Sequence, residues 1–169
     1  MVYFFDFVLL VLIYFFWFFQ KWKKNSRKTL KIKTVMYFYI VMVLFVTIMP
    51  FTIALNETNK WFMETANFIP FRDIRLGYAG AVREIILNII MMIPFGFLYP
   101  IIKKKGVIKT VFTTLFFSLL IESTQLVSVW WGSVDTRIFD VTDLITNTLG
   151  GLIGFLLYKL LKLINLKIK

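Results

Sequence analysis

Five long apolar runs constrain the fold of this chain more than any other feature of its sequence. They occupy residues 2–19, 35–55, 85–102, 107–131 and 141–158, and an α-helix needs about 20 such residues to cross a bilayer. Apolar residues make up 59% of the 169-residue chain, which is more apolar surface than a soluble domain of this size can bury. The sequence therefore predicts an all-α, polytopic transmembrane helix bundle with five spans.

The spans fall into two groups, which define the expected domains. Residues 1–66 hold two N-terminal spans joined by a basic segment, residues 67–158 hold the other three spans, and residues 159–169 form a basic tail. In the first span the basic residues follow the apolar run instead of preceding it, which is the reverse of a cleavable signal peptide. We therefore expect this span to remain as a membrane anchor.

The distribution of Lys and Arg predicts the orientation of the chain. Fifteen of the 20 basic residues lie in residues 21–33, 103–109 and 159–169, which a five-span chain places on one side of the membrane. An excess of Lys and Arg marks the cytoplasmic side, so the N-terminus is predicted outside and the C-terminus inside. Because topology accounts for the net charge of +11, we expect no nucleic-acid partner.

The residue types that are absent limit the chemistry of the chain. It contains no cysteine and no histidine, which excludes thiol nucleophiles, disulfides, Ser-His relays and the usual zinc sites. Any chemistry must therefore use carboxylates, amides, arginines or hydroxyls. We expect no cofactor.

Three of the spans carry a carboxylate with an amide about one helical turn away. The pairs are Glu84 with Asn88, Glu122 with Gln125, and Asp143 with Asn147. A spacing of three or four residues places both members on one helix face, and such a face in a membrane turns toward protein or water. With a rise of about 1.5 Å per residue, all three pairs fall in the predicted outer half of the membrane, where we expect them to meet.

Glu122 lies well inside its span, on the same predicted face as Thr114 and Ser118. A carboxyl at this depth either pairs with a cation, for which Arg83 and Arg137 are the candidates, or keeps its proton, because desolvation disfavours the charged form. Both states occur in catalytic sites and in purely structural networks, so both roles remain open.

Proline and glycine mark two spans for bending and close packing. Pro94 removes a backbone hydrogen bond inside its helix and is expected to bend it. Gly96, Gly150 and Gly154 allow a neighbouring helix backbone to approach closely. We expect these four residues to have structural roles.

Asp140 and Asp143 precede and begin the last span, three residues apart. Two carboxylates at this spacing suit a divalent cation, which prefers several oxygen ligands. They equally suit a helix N-terminus, where carboxylates accept hydrogen bonds from free backbone N–H groups. We favour the second interpretation and leave the metal site open.

These residues occur in an ordered series of short motifs. In chain order the motifs are Asn67-Phe68-Ile69-Pro70-Phe71, Asn88 with Ile93-Pro94-Phe95-Gly96, Glu122-Ser123-Thr124-Gln125, and Arg137, Asp140, Asp143 and Asn147 with Gly150-Gly151. The series resembles the VanZ-like family over about residues 67–155, whereas residues 1–66 match no motif of that family. The resemblance implies a small multi-pass protein of the bacterial plasma membrane, and some family members raise resistance to glycopeptides of the teicoplanin type.

The first functional hypothesis is a non-enzymatic protein that modulates how lipoglycopeptides such as teicoplanin interact with the cell surface. An outward-facing polar site would bind a lipid head group, a lipid-linked wall precursor, the lipoglycopeptide or a cell-wall enzyme. Its ligand-binding candidates are Glu84, Asn88, Gln125, Arg137, Asp140 and Asn147.

Two other functions fit the same residues. In a membrane enzyme acting on a lipid-linked wall precursor, Glu122 would be the general acid or base, and Asp143 with Asp140 would hold a divalent cation. In a structural or partner-binding subunit, the polar pairs would only fix the register of the helices. The residues alone do not decide whether the chain is an enzyme.

Overall fold

The computed structural model describes residues 2–50, 58–131 and 138–167, and every regular element in these ranges is helical. The chain divides into two compact units, Met1–Thr52 and Ile53–Lys169. Five helices in the described ranges are long and apolar enough to cross a membrane: Tyr3–Trp22, Arg27–Thr47, Ala81–Lys103, Val107–Trp130 and Val141–Ile164. The predicted all-α, five-span fold is therefore confirmed, and the orientation of its termini stays a prediction.

The N-terminal unit contains two long helices. The first consists of α1 (Val2–Ile13), a π-helical stretch (Tyr14–Phe19) and a last turn, α2 (Gln20–Trp22), and the second is α3 (Arg27–Thr47). Two tyrosines join them. The Tyr14 and Thr34 hydroxyls hydrogen-bond at 2.8 Å, and the Tyr37 hydroxyl donates to the Leu10 carbonyl at 2.6 Å.

The second span begins eight residues earlier than its apolar run predicts. The Ser26 hydroxyl accepts a hydrogen bond from the Thr29 N–H at 3.3 Å, which is a helix N-cap, and α3 ends at Thr47. Pro50 follows shortly after, and a proline disfavours helical conformation in the residue before it. The basic residues 27–33 therefore belong to the first turns of the helix, from which long side chains reach the membrane surface.

The C-terminal unit is built on three long helices, α6 (Ala81–Lys103), α7 (Val107–Trp130) and α8 (Val141–Lys167). Glycines set the separation of α6 and α8. A Cβ on Gly150 would overlap the Ile89 carbonyl, and a Cβ on Gly154 would overlap the Ile93 carbonyl. Because these contacts advance in the same direction along both helices, α6 and α8 run parallel. The predicted basic tail continues α8 as far as Lys167.

A polar stripe on α7 faces α8. Thr110, Thr114, Ser118 and Glu122 are all buried, and their spacing of four residues places them on one side of α7. The Thr110 and Thr114 hydroxyls donate to backbone carbonyls four residues earlier, at 3.0 and 2.9 Å. A Cβ on Gly151 of α8 would meet the Thr114 side chain. The stripe is thus covered by the glycine-rich face of α8.

Two short helices, α4 (Phe62–Thr65) and α5 (Arg72–Arg75), lie in the segment before α6. Between them Asn67 forms an isolated parallel bridge with Asp140, just before α8. The Asn67 N–H donates to the Phe139 carbonyl at 2.8 Å, and the Val141 N–H donates to the Asn67 carbonyl at 3.0 Å. This bridge ties the segment before α6 to the start of α8.

Candidate functional site

Polar side chains from all three core helices converge where α6 and α8 begin and α7 ends. Asn88 of α6 hydrogen-bonds the Asp143 carboxylate of α8. Glu122 of α7 lies close enough to Asp143 for their charges to interact. The acid-bearing faces of the three spans therefore turn toward one another at these three residues, as the helical spacing predicts.

Glu122 holds the backbone just before α8. Its Oε2 accepts a hydrogen bond from the Asp140 N–H at 2.9 Å, and the residue is only 1% exposed. Among the described residues, no Lys or Arg contributes a charge at Glu122. Arg83, one of the expected cation partners, is exposed, and Arg137, the other, lies outside the described residues. The observed partner is a backbone N–H group.

Asp140 is fixed through both oxygens of its side chain. Oδ2 accepts from the Asn67 Nδ2 at 2.9 Å, and Oδ1 accepts from the Thr142 N–H at 2.6 Å. The second bond has the geometry of a helix N-cap, which is the role favoured for Asp140 from the sequence. In the described part of the chain, no group of three or more acidic residues is arranged to hold a metal ion.

Asn147 lies one turn deeper along α8 than Asp143. Its Nδ2 donates to the Ser118 hydroxyl of α7 at 2.9 Å, and the residue is 1% exposed. Its Oδ1 is buried without a hydrogen-bond partner in the described residues, which costs about 1–3 kcal/mol. Asn147 thus joins α7 to α8 and presents an acceptor that a hydroxyl, ammonium or water donor would satisfy.

A narrow cleft, here called the acidic cleft, opens between α5, α6 and the start of α8. It is lined by Phe71, Asp73, Ile74, Ala81, Glu84, Ile85, Asp140, Thr142 and Asp143. Four of these residues are acidic. The cavity volume is about 20 Å³, enough for about one water-sized group. The acidic cleft therefore suits a single small cationic group of a larger ligand.

Only some of the predicted site residues line the acidic cleft. Glu84, Asp140 and Asp143 line the acidic cleft, and Asn88 contacts it through Asp143. Gln125 is half-buried and does not line the cleft. Pro94 lies inside α6, and Gly96, Gly150 and Gly154 lie where α6 and α8 approach most closely.

Sequence reasoning missed three contributors to the site. Asp73 and Thr142 line the acidic cleft, and the Thr142 hydroxyl accepts from the Phe71 N–H at 3.0 Å. Asn67 stood out only as part of a motif, yet it holds Asp140 across 73 positions of the chain. One indication of a non-helical role for Asn67 was present in the sequence, because it lies three residues before Pro70 in a segment without helical periodicity.

The Asn67 bond makes a direct prediction about stability. We expect Asn67→Ala to lower the free energy of unfolding by about 1–3 kcal/mol, because the Asp140 carboxylate loses a donor in a partly buried site. Thermal unfolding of the detergent-purified protein measures this change. The control is Thr124→Ala, because Thr124 is exposed and bonds only within α7. Equal melting temperatures for the two variants would contradict the bridging role of Asn67.

The helices and the site together define a multi-pass helical membrane protein with its buried acids gathered at one end of a three-helix core. A family model described as VanZ/LLP1 matches residues 4–162, and the chain belongs to this family. The match extends beyond residues 67–155, where the motifs lie, and includes both N-terminal spans.

The chain also resembles one curated relative. It is 29% identical to Protein VanZ of Enterococcus faecium over 123 residues, which cover 72% of this chain and 70% of the relative. No solved structure matches the chain.

Proposed function

We propose that this protein reduces the interaction of lipoglycopeptide antibiotics such as teicoplanin with the bacterial plasma membrane, through the acidic cleft. Family membership supports the antibiotic class, because the VanZ-like family includes members that raise teicoplanin resistance. The observation that carries the proposal is a cleft with four acidic residues, Asp73, Glu84, Asp140 and Asp143. Such a site attracts a cationic group on a lipid head group, a wall precursor or the antibiotic itself.

The position of the cleft supports an outward-facing site. It lies at the end of the core where α6 and α8 begin, and the lysines of residues 103–109 lie at the opposite end. Under the positive-inside rule the lysines face the cytoplasm, so the cleft faces the outer leaflet. A protein that engages envelope molecules there changes how a lipid-tailed antibiotic meets the cell.

Cell-bound antibiotic tests this proposal. We expect deletion of the gene to increase binding of fluorescent teicoplanin and to lower the inhibitory concentration, and the wild-type gene to restore both. The double variant Glu84→Gln, Asp143→Asn should fail to restore them, with ligand affinity reduced about tenfold or more, because each charged hydrogen bond is worth about 1.5–3 kcal/mol.

The matched control is Glu64→Gln, which removes an exposed carboxylate outside the acidic cleft and should complement fully. Immunoblots of the membrane fraction establish that all variants accumulate equally. Unchanged teicoplanin binding and susceptibility on deletion would contradict the proposal. Full complementation by the double variant would exclude the acidic cleft as the site.

A catalytic function is the second candidate, and the burial of Glu122 beside Asp143 favours it. A general acid or base needs a carboxyl removed from bulk water and close to the reacting group. In this proposal the substrate is a lipid-linked wall precursor. The test is product formation from a polyprenyl-phosphate substrate by the purified protein, with and without magnesium.

A further inference from the structure

A second and larger cleft, here called the apolar groove, opens between α6 and α8. It is lined by Ile93, Pro94, Phe97, Leu98, Leu157, Leu160 and Leu161. Its volume is about 430 Å³, within the range of pockets that hold small ligands. On α8 the groove begins one turn beyond Gly154, where leucines replace the small residues that hold the two helices together. The groove therefore lies beside the glycine contact on α6 and extends past it on α8.

Exposed lysines lie level with the groove. Gly96 of α6 packs against Gly151 and Gly154 of α8, and α6 and α8 are parallel. Lys103 follows Gly96 by seven residues, and residues 158 and 161 follow Gly151 and Gly154 by the same number. Lys103 therefore lies level with residues 158–161 of α8. The exposed basic residues at this end are Lys103, Lys104, Lys105, Lys109, Lys159 and Lys162. Cations from both helices thus flank one end of the groove.

The acidic residues of the three core helices all lie away from the end that carries these lysines. No Asp or Glu occurs between residues 85 and 121 or after residue 143. The chain therefore places an entirely apolar groove beside a group of cations that its own α6, α7 and α8 do not neutralise there. A molecule with an apolar chain and an anionic head complements both features.

We propose that the apolar groove binds an acyl chain of an anionic phospholipid, whose phosphate contacts Lys103 and Lys162. The lysines alone satisfy the positive-inside rule, and an apolar surface alone satisfies the bilayer. Their coincidence at one level of the same helix pair makes this a site selective for anionic head groups. The site lies at the opposite end of the core from the acidic cleft and is independent of the function proposed there.

Native mass spectrometry of the delipidated full-length protein tests the proposal. The probes are phosphatidylglycerol and phosphatidylcholine with identical acyl chains. We expect tighter binding of phosphatidylglycerol by the wild type. The variant Lys103→Gln, Lys162→Gln should bind it about 25-fold more weakly, or about fivefold for each lysine. The control Lys24→Gln, Lys28→Gln removes the same charge from the N-terminal unit and should bind as the wild type does.

A second pair of variants examines the groove itself. Leu157→Trp fills it and should weaken phosphatidylglycerol binding severalfold, because the acyl chain loses its packing contacts in the groove. Leu156→Trp adds the same volume at an exposed position that does not line the groove and should have no effect.

Several results would overturn the lipid site. Equal affinity of the wild type for the two lipids would do so, and so would equal weakening by the two lysine pairs. If Leu157→Trp leaves lipid binding unchanged but dissociates a dimer, the occupant is a second copy of the chain. If it leaves both unchanged but lowers the melting temperature, the groove is filled by protein from the same chain.

Discussion

Replacing Gly96 with leucine is expected to separate α6 from α8 and to unfold the three-helix core at a much lower temperature. A Cβ at position 96 would overlap the Gly151 backbone, which cannot move aside as a flexible side chain can. Overpacking a core costs about 1–3 kcal/mol, and a clash with backbone belongs at or above the upper end of that range. We expect the melting temperature to fall by about 10 °C.

Separating α6 from α8 is also expected to disturb the candidate site. Asn88 and Asp143 meet because α6 and α8 are held close together. Gly150 makes a similar close contact with Ile89, the residue after Asn88. Separating the helices therefore weakens the Asn88–Asp143 bond as well as the packing. Thermal unfolding followed by size-exclusion fluorescence measures the effect.

Gly106→Ala is the matched control for this change. No atom lies within 4 Å of a Cβ at position 106, and its φ of −79° is accessible to alanine. The control should melt within about 0.5 kcal/mol of the wild type. If the Gly96 variant melts with the control, α6 and α8 do not pack through their glycines.

The membrane helices were readable from the sequence because the bilayer sets a minimum length for an apolar run. Spacing also indicated which faces turn inward, since Thr114, Ser118 and Glu122 recur every fourth residue and all are buried. The first residue of α3 could not be predicted from the hydrophobic pattern. Its first turns are basic, and the Ser26 cap that begins it is a local signal that the apolar pattern does not contain.

The partners of the buried acids were harder to predict than their burial. The sequence offered a cation partner or a retained proton for Glu122, whereas its observed partner is the Asp140 N–H. Every residue except proline carries a backbone N–H, so the sequence does not single this one out. The Asn67–Asp140 bond joins residues far apart in the chain, and no periodicity reports such a contact. Helix faces therefore follow from one sequence, whereas the loops that close over them do not.

Replacing Glu122 with leucine is expected to release the start of α8 from α7. The Asp140 N–H would lose its acceptor in a partly buried site, which costs about 1–3 kcal/mol. Loosening Asp140 also weakens its bond to Asn67. We expect a melting temperature several degrees below that of the wild type, whereas Ser123→Ala, at the exposed neighbouring position, should change nothing.

Glu122→Gln separates the structural role of this residue from a chemical one. Glutamine keeps a side-chain oxygen that accepts the Asp140 N–H, so the variant should melt within about 1 kcal/mol of the wild type. It removes the ability to exchange a proton, which a general acid or base requires. Glu122 does not line the acidic cleft, so a binding function there should survive this change and a catalytic one should not. A folded Glu122→Gln protein that restores the teicoplanin phenotype supports the binding cleft, whereas a folded one that fails to restore it supports catalysis.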